Sequence, residues 1–342
     1  MTVDQRDSFA RRKLLGILSG SWLAQACYAI VRLGVPDLLA DGPRGSDDLA
    51  AAVGADRRAL HRVLRALAAA GVLRQTGARE FALGAVGDLL RTDAPGSAHL
   101  VALMQGEEVF RAFGEIVHTV RTGAPAFEKV YGRPFYAYLD DNPEAARTFN
   151  ESMGGQGVPA ALGAVDLAHV GTLVDVGGGT GALLAEVLRA HPQCGGVLLE
   201  RPDAIARARA ALATDGLADR VRFVEGDFFT EVPAGGDAYV LARILHNWAD
   251  ERALAILRRV HAAMPPHARL VVLEELLPDG EAATGTPAAA VMVDLLMLVT
   301  LEGYDRTEAE YRELLAEAGF DVLTVHRVHG AGSGAIEAVR RG

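Results

Sequence analysis

Apolar and polar positions follow two different periods along this chain. Over the first hundred residues the period is helical. Positions 14–39 read mostly as helix, with Pro36 near its end. A short helix follows at 46–53, where Ser46 is placed to cap it and Asp47 and Asp48 fall in the first turn, favoured by the helix dipole. Gly54 marks a turn, and Asp56 then caps a second helix over 57–70. Its Leu60, Val63, Leu64 and Leu67 fall at i, i+3, i+4 and i+7 and so form one apolar face. Gly71 ends it. Residues 72–75 and 80–83, joined by a turn at 76–78, read as a small β-ribbon. Helix, turn, helix and ribbon is the order of a winged helix.

Helical texture continues over 99–153 and is broken by the glycine- and proline-containing stretch 154–159. Beyond it, short apolar runs at 173–176, 197–200, 221–224, 238–241 and 270–274 alternate with helical stretches such as 182–190 and 251–264. That alternation predicts a parallel sheet covered on both faces. The chain therefore divides into a helical domain over 1–98 and an α/β domain over 99–342, in which 99–158 is a helical lid or linker.

Composition sharpens this picture. A chain of 342 residues is long enough for two domains and needs no covalent staples. Its two cysteines, Cys27 and Cys194, exclude a disulfide framework or a cysteine zinc site and fit a reduced, cytoplasmic setting; no metal is expected. No uninterrupted apolar run reaches the ~18 residues of a membrane span. The charged start, 1–12, lacks the apolar core of a secretory signal. The net charge of −10 argues against bulk nucleic-acid binding. It is uneven: residues 1–100 carry net +3 and the remainder −13.

The chemistry starts at 173–181, Leu-Val-Asp-Val-Gly-Gly-Gly-Thr-Gly, which runs from a strand into a helix. Glycines there let the backbone turn sharply and approach a ligand closely. Glu200 ends the next strand, where a carboxylate can accept both hydroxyls of an adenosine ribose. The loop is not a G-x-G-x-x-G dinucleotide fingerprint, because the third glycine is missing in either register. Asp175, just before the glycines, suits a cationic amino-acid end. After the third strand, Asp227 and Phe228 are placed to bracket an adenine.

Four segments together, Asp-Val-Gly-Gly-Gly-Thr-Gly at 175–181, Gly-Asp-Phe-Phe at 226–229, Arg-Ile-Leu-His-Asn-Trp at 243–248 and Asp-Arg-Thr-Glu-Ala-Glu-Tyr at 305–311, resemble the S-adenosylmethionine-dependent O-methyltransferases, in particular plant caffeic-acid-type enzymes and bacterial natural-product tailoring enzymes. The resemblance spans nearly the whole chain. It implies a Rossmann-like α/β domain with a mostly parallel seven-stranded sheet, an N-terminal winged-helix dimerisation domain and hence a homodimer. It also implies S-adenosylmethionine as cofactor, held by Asp175, Gly177, Gly179, Glu200, Asp227, Phe228, Arg243 and Trp248. The expected partner is a small aromatic acceptor, with no nucleic acid and no membrane.

His246, just after the fourth strand, matches the family's base. A phenol ionises near pH ~10 and an imidazole near ~6.5, so a positioned histidine can take the phenol's proton at neutral pH. A sulfonium leaves without acid assistance, so one base and good alignment suffice. Glu274 and Asp305 match the acids that orient and flank the base, with Glu302 the alternative to Asp305 because the preceding loop differs by one residue in length. Ala242 replaces a lysine that touches the cofactor in plant members, and Arg243 is the residue available to close the site there. Phe149, Asn150, Met153 and Met297 match acceptor-pocket positions, and Tyr131, Phe135 and Tyr138 are lid candidates.

Two other classes compete. Arg57, Arg58, His61, Arg62 and Arg65 on the second helix suit a DNA-binding regulator with a ligand-sensing domain, although an amphipathic helix carries such residues on its solvated face anyway. Relatives that hold the cofactor but decarboxylate or hydroxylate typically lack the base, and His246 speaks against that reading. Methylation at nitrogen or carbon would use the same pocket.

Overall fold

A computed structural model describes residues 3–154, 157–278, 288–328 and 333–341. Close packing divides the chain into two units, one formed by 1–111 with 139–155 and the other by 112–138 with 156–342.

The first unit is mainly helical. The stretch read as helix is helical and divides into three: Val3–Leu18, Gly20–Arg32 and Val35–Leu38. Ser19 interrupts it, turning its hydroxyl back onto the Leu15 carbonyl at 2.9 Å. Gly34, at φ +72°, breaks it again and lets Pro36 start the third helix rather than kink the second. Asp56 caps Arg57–Ala69 as expected, accepting from the Ala59 N–H at 2.7 Å, and Leu60, Leu64 and Leu67 are buried on that helix. Ser46 does not cap Ser46–Val53; Gly45 holds that position, and the Ser46 hydroxyl instead meets His61 Nδ1 at 3.1 Å. Strands β1 (Arg44–Gly45), β2 (Leu73–Gly77) and β3 (Glu80–Leu83) form an antiparallel sheet in the order β1-β3-β2, closing a core around Ile30, Leu49, Leu64 and Phe81.

Apolar surface remains on this unit. Leu14, Leu15, Ile17, Leu18 and Trp22 are all more than half exposed, Trp22 at 74%. Taken across its interspersed small polar residues, the helical stretch 8–32 is long and apolar enough to cross a bilayer. A count of uninterrupted apolar runs misses this.

The second unit holds an eight-stranded sheet built from β4 (Thr172–Val176), β5 (Gly195–Glu200), β6 (Val221–Glu225), β7 (Ala238–Ala242), β8 (Arg269–Leu277), β9 (Arg306–Thr307), β10 (Phe320–Arg327) and β11 (Ser333–Arg340). Seven strands run in the order β10-β11-β8-β7-β4-β5-β6, and β9 pairs β8 alone. The five from β8 to β6 are parallel, whereas β10 and β11 join antiparallel. Each face carries its own core, one around Val174, Leu241, Leu257 and Val272, the other around Leu184, Leu198, Val240 and Val271. Burial on both sides is why β4, β5, β7 and β8 read as nearly continuous apolar runs. Strand order reverses between β4 and β7, which opens a crevice beyond their C-terminal ends, the usual ligand position in open α/β sheets. The glycine loop after β4 and the His246 turn after β7 both stand there.

Candidate active site

Gly177, Gly179 and Gly181 all take left-handed φ values, +75°, +57° and +77°. A Cβ on Gly177 would stand 2.6 Å from Ile244 Cδ1, and one on Gly178 2.1 Å from an Asp175 carboxylate oxygen. Glycine is therefore favoured by conformation at the first and by space at the second.

Asp175 is fully buried, and neither carboxylate oxygen has a hydrogen-bond partner. Burial, with the nearby Glu200 charge adding, pushes its pKa up to about 7. A buried carboxylate with no donor is costly, which marks it as a group kept for a ligand. Glu200 accepts from the Gly179 N–H at 3.3 Å and the Arg201 N–H at 2.8 Å, and burial raises its pKa. The donor set fits S-adenosylmethionine: a buried anion for the cationic amino-acid end, and a second carboxylate at the end of β5. Asp227 is exposed and turns one oxygen onto the Phe229 N–H at 2.9 Å, closing an Asx turn that presents Phe228.

Phe228 lies edge-on to Trp248, as does Phe229 at 4.9 Å between centroids. The Arg252 guanidinium lies 4.1 Å from the Trp248 ring centroid, and Tyr136 stacks on Trp248 at 5.5 Å and 26°. Tyr136 has no sequence signal of its own. Burial raises its phenol, and the Glu200 charge adds. The lid candidates Tyr131, Phe135 and Tyr138 instead cluster around Phe127.

Arg243 is the one non-glycine residue at positive φ among the described residues, at +56°. Its guanidinium donates to the Gly157 carbonyl at 3.1 Å, and its own carbonyl accepts from Asn247 Nδ2 at 2.9 Å. Strain of this kind collects at functional sites, where the surroundings hold it in place.

His246 sits in the turn Leu245–Asn247. Its Nδ1 lies 2.9 Å from Asp305 Oδ1 and 3.7 Å from Glu274 Oε2, and both carboxylates are fully buried. The other Glu274 oxygen accepts from the Ile244 and Leu245 N–H groups at 3.0 and 2.8 Å, so Glu274 also shapes the turn. Burial alone would lower the imidazole pKa; the Glu274 charge and the Asp305 hydrogen bond outweigh it and raise it. Glu302 points away, 3.3 Å from exposed Arg252. Between the two alternatives, the structure puts Asp305 against the imidazole.

Two residues that sequence reasoning passed over hold this turn. Arg306 is fully buried and donates to the Leu245 and Trp248 carbonyls at 3.1 and 2.8 Å and to Asp250 at 2.7 Å. A Cβ on Gly303 would stand 2.1 Å from the His246 carbonyl oxygen. Arg306 adjoins Asp305 in a quoted motif, but only the fold reveals its contacts. Met297 is buried on the helix Ala288–Thr300. Phe149, Asn150 and Met153 lie on Pro143–Gly154 in the first unit.

Residues 113–321 match the O-methyltransferase domain family, and residues 15–93 match the O-methyltransferase dimerisation domain. The chain belongs to the O-methyltransferase family. The enzyme is thus an S-adenosylmethionine-dependent methyltransferase. Its winged-helix segment is a dimerisation domain, and that match takes in most of the apolar stretch 8–32. The methyltransferase is 42% identical over 322 residues to the O-demethylpuromycin-O-methyltransferase of Streptomyces alboniger, covering 92% of this chain and 85% of the relative. It is 41% identical over 312 residues to the 8-amino-8-demethylriboflavin N,N-dimethyltransferase of Streptomyces davaonensis, covering 89% and 88%. Among solved structures, the neocarzinostatin-biosynthesis O-methyltransferase NcsB1, in complex with S-adenosylmethionine and a hydroxy-methyl-naphthoic acid, matches with a TM-score of 0.82 and 32% identity over 93% of this chain and 95% of that one.

Proposed function

We propose that this methyltransferase acts on a phenolic hydroxyl of an aromatic natural product, with His246 as general base. The carrying observation is the buried Asp305–His246 pair at 2.9 Å. When Asp305 accepts from Nδ1–H, the imidazole lone pair is left on Nε2. From there His246 takes the acceptor's hydroxyl proton as the oxygen gains the methyl group. S-adenosylmethionine, when bound, supplies that methyl already activated on a sulfonium. Asp175 pairs with its cationic end, Glu200 with the ribose, and Gly177 and Gly179 allow close backbone approach. Asp227, Phe228, Trp248 and Arg243 line the adenine side and close the site. Phe149, Asn150, Met153 and Met297 are the acceptor-contact candidates that the family resemblance implies. The dimerisation domain supports a homodimer, and the two free cysteines suit a cytoplasmic enzyme.

Nitrogen methylation is a second reading, favoured by the similarity to an N,N-dimethyltransferase. A neutral aromatic amine attacks through its own lone pair and has less need of a base beforehand, so the buried acid–imidazole pair favours oxygen. Mass spectrometry of products from matched phenol and aniline panels, using methyl-labelled S-adenosylmethionine, separates the two. Methyl ethers are expected; methylated amines alone would overturn the oxygen reading.

A further inference from the structure

The buried carboxylate of Asp305 has to be aimed, and its backbone is held by a residue outside every motif singled out above. Asp294, on the helix Ala288–Thr300, accepts the Asp305 N–H at 3.0 Å. Asp305 then meets His246 Nδ1 at 2.9 Å. Between them the chain leaves the helix through a Leu301 N–H to Met297 carbonyl bond of 2.8 Å and passes Gly303, which packs against the backbone of 246–248. The loop is therefore pinned at both ends. Close packing holds Gly303 on the base turn, and one hydrogen bond to Asp294 fixes the peptide that carries the orienting carboxylate. Met297 stands on the same helix, one turn beyond Asp294, so acceptor wall and base share one support.

We propose that Asp294 is a positioning residue for the reaction: it fixes the Asp305 peptide and, through it, the orientation and proton affinity of His246. The proposal rests on His246 being the base. A structural acid at this place is a poor choice on charge alone. Burial raises the Asp294 pKa, with Asp305 and Glu310 adding as like charges, and the Asp305 N–H opposing. The groups that act most strongly on His246 are Glu274 and Asp305, which raise it, and Arg243, which lowers it; Glu275 stands near the same cluster. Asp294 is absent from that set. Its influence therefore runs through geometry, and an uncharged side chain offering the same oxygen should replace it.

The test is an NMR titration of the His246 imidazole in full-length protein carrying labelled histidine, which needs no acceptor. His246 should titrate above ~6.5 in the wild type. Asp305→Asn, the benchmark, should lower that value. Asp294→Ala should lower it in the same direction by about half a pH unit or more, whereas Asp294→Asn should stay close to wild type. In turnover, Asp294→Ala should lose about 10-fold or more in kcat, with the affinity for S-adenosylhomocysteine unchanged. Asp294→Val serves if the alanine variant fails to fold. Wild-type titration in the Ala or Val variant would overturn the proposal. So would an Asn variant shifted as far as Ala, since that would assign the effect to charge. If no aromatic acceptor is methylated, the functional reading fails while the titration still decides the role of Asp294.

Discussion

At the scale of single residues, the site is a set of charges held away from water. Asp175 is the clearest case, because its two oxygens have no donor and its pKa sits at about 7 rather than 3.8. The folded protein keeps this proton up to about pH 7, while the unfolded chain releases it near 3.8. Stability from Asp175 is thus complete below pH 3.8 and is lost as pH rises to about 7. Thermal unfolding without cofactor should show this decline over that range, and Asp175→Asn should flatten it. A cationic ligand reverses the preference. Calorimetry should therefore find tighter S-adenosylhomocysteine binding as pH rises through 7, and Asp175→Asn should bind about 10-fold or more weakly. His246 is shifted in the same direction. Its raised pKa keeps the imidazole protonated above pH ~6.5, so kcat/KM should fall as pH drops through a limb that lies above that value.

At the scale of elements, strand ends decide which side chains meet. The apolar runs that became β4, β5, β7 and β8 were legible because both faces are buried and the stretches between them are amphipathic. Ser46 was misread because a serine one residue inside a helix looks the same in sequence as one that caps it. The glycine loop, Glu200 and His246 could be placed because each sits at or just beyond the end of such a strand, whereas Glu274 lies inside β8, which runs on to Leu277. Tyr136, Gly303 and Arg306 could not, since their contacts join segments far apart in sequence. The choice between Asp305 and Glu302 turned on a loop whose path is set by packing against 246–248. That packing makes a prediction: Gly303→Ala forces the base turn to move and should cost about 10²-fold in kcat. Arg306→Met removes the donor to two turn carbonyls and Asp250. It should lower the melting temperature and destabilise by about 1–3 kcal/mol, the cost of leaving buried carbonyls without a donor, because Asp250 itself is exposed.

At the scale of the molecule, the exposed apolar row from Leu14 to Trp22 asks for a cover. Its place in or beside the matched dimerisation domain points to a second copy. Light scattering should therefore give about twice the chain mass of 36.1 kDa. Ile17→Asp combined with Trp22→Asp should shift the particle towards one chain. Part of the acidic remainder belongs to the proposed site: Asp175, Glu200, Glu274 and Asp305. The account as a whole turns on one proton. Methylation of a phenolic acceptor by wild type and His246→Ala, with cofactor affinity measured alongside, tests it most directly. The account predicts a loss of about 10²–10⁴-fold in kcat/KM with cofactor binding intact; turnover equal to wild type in the alanine variant would contradict it.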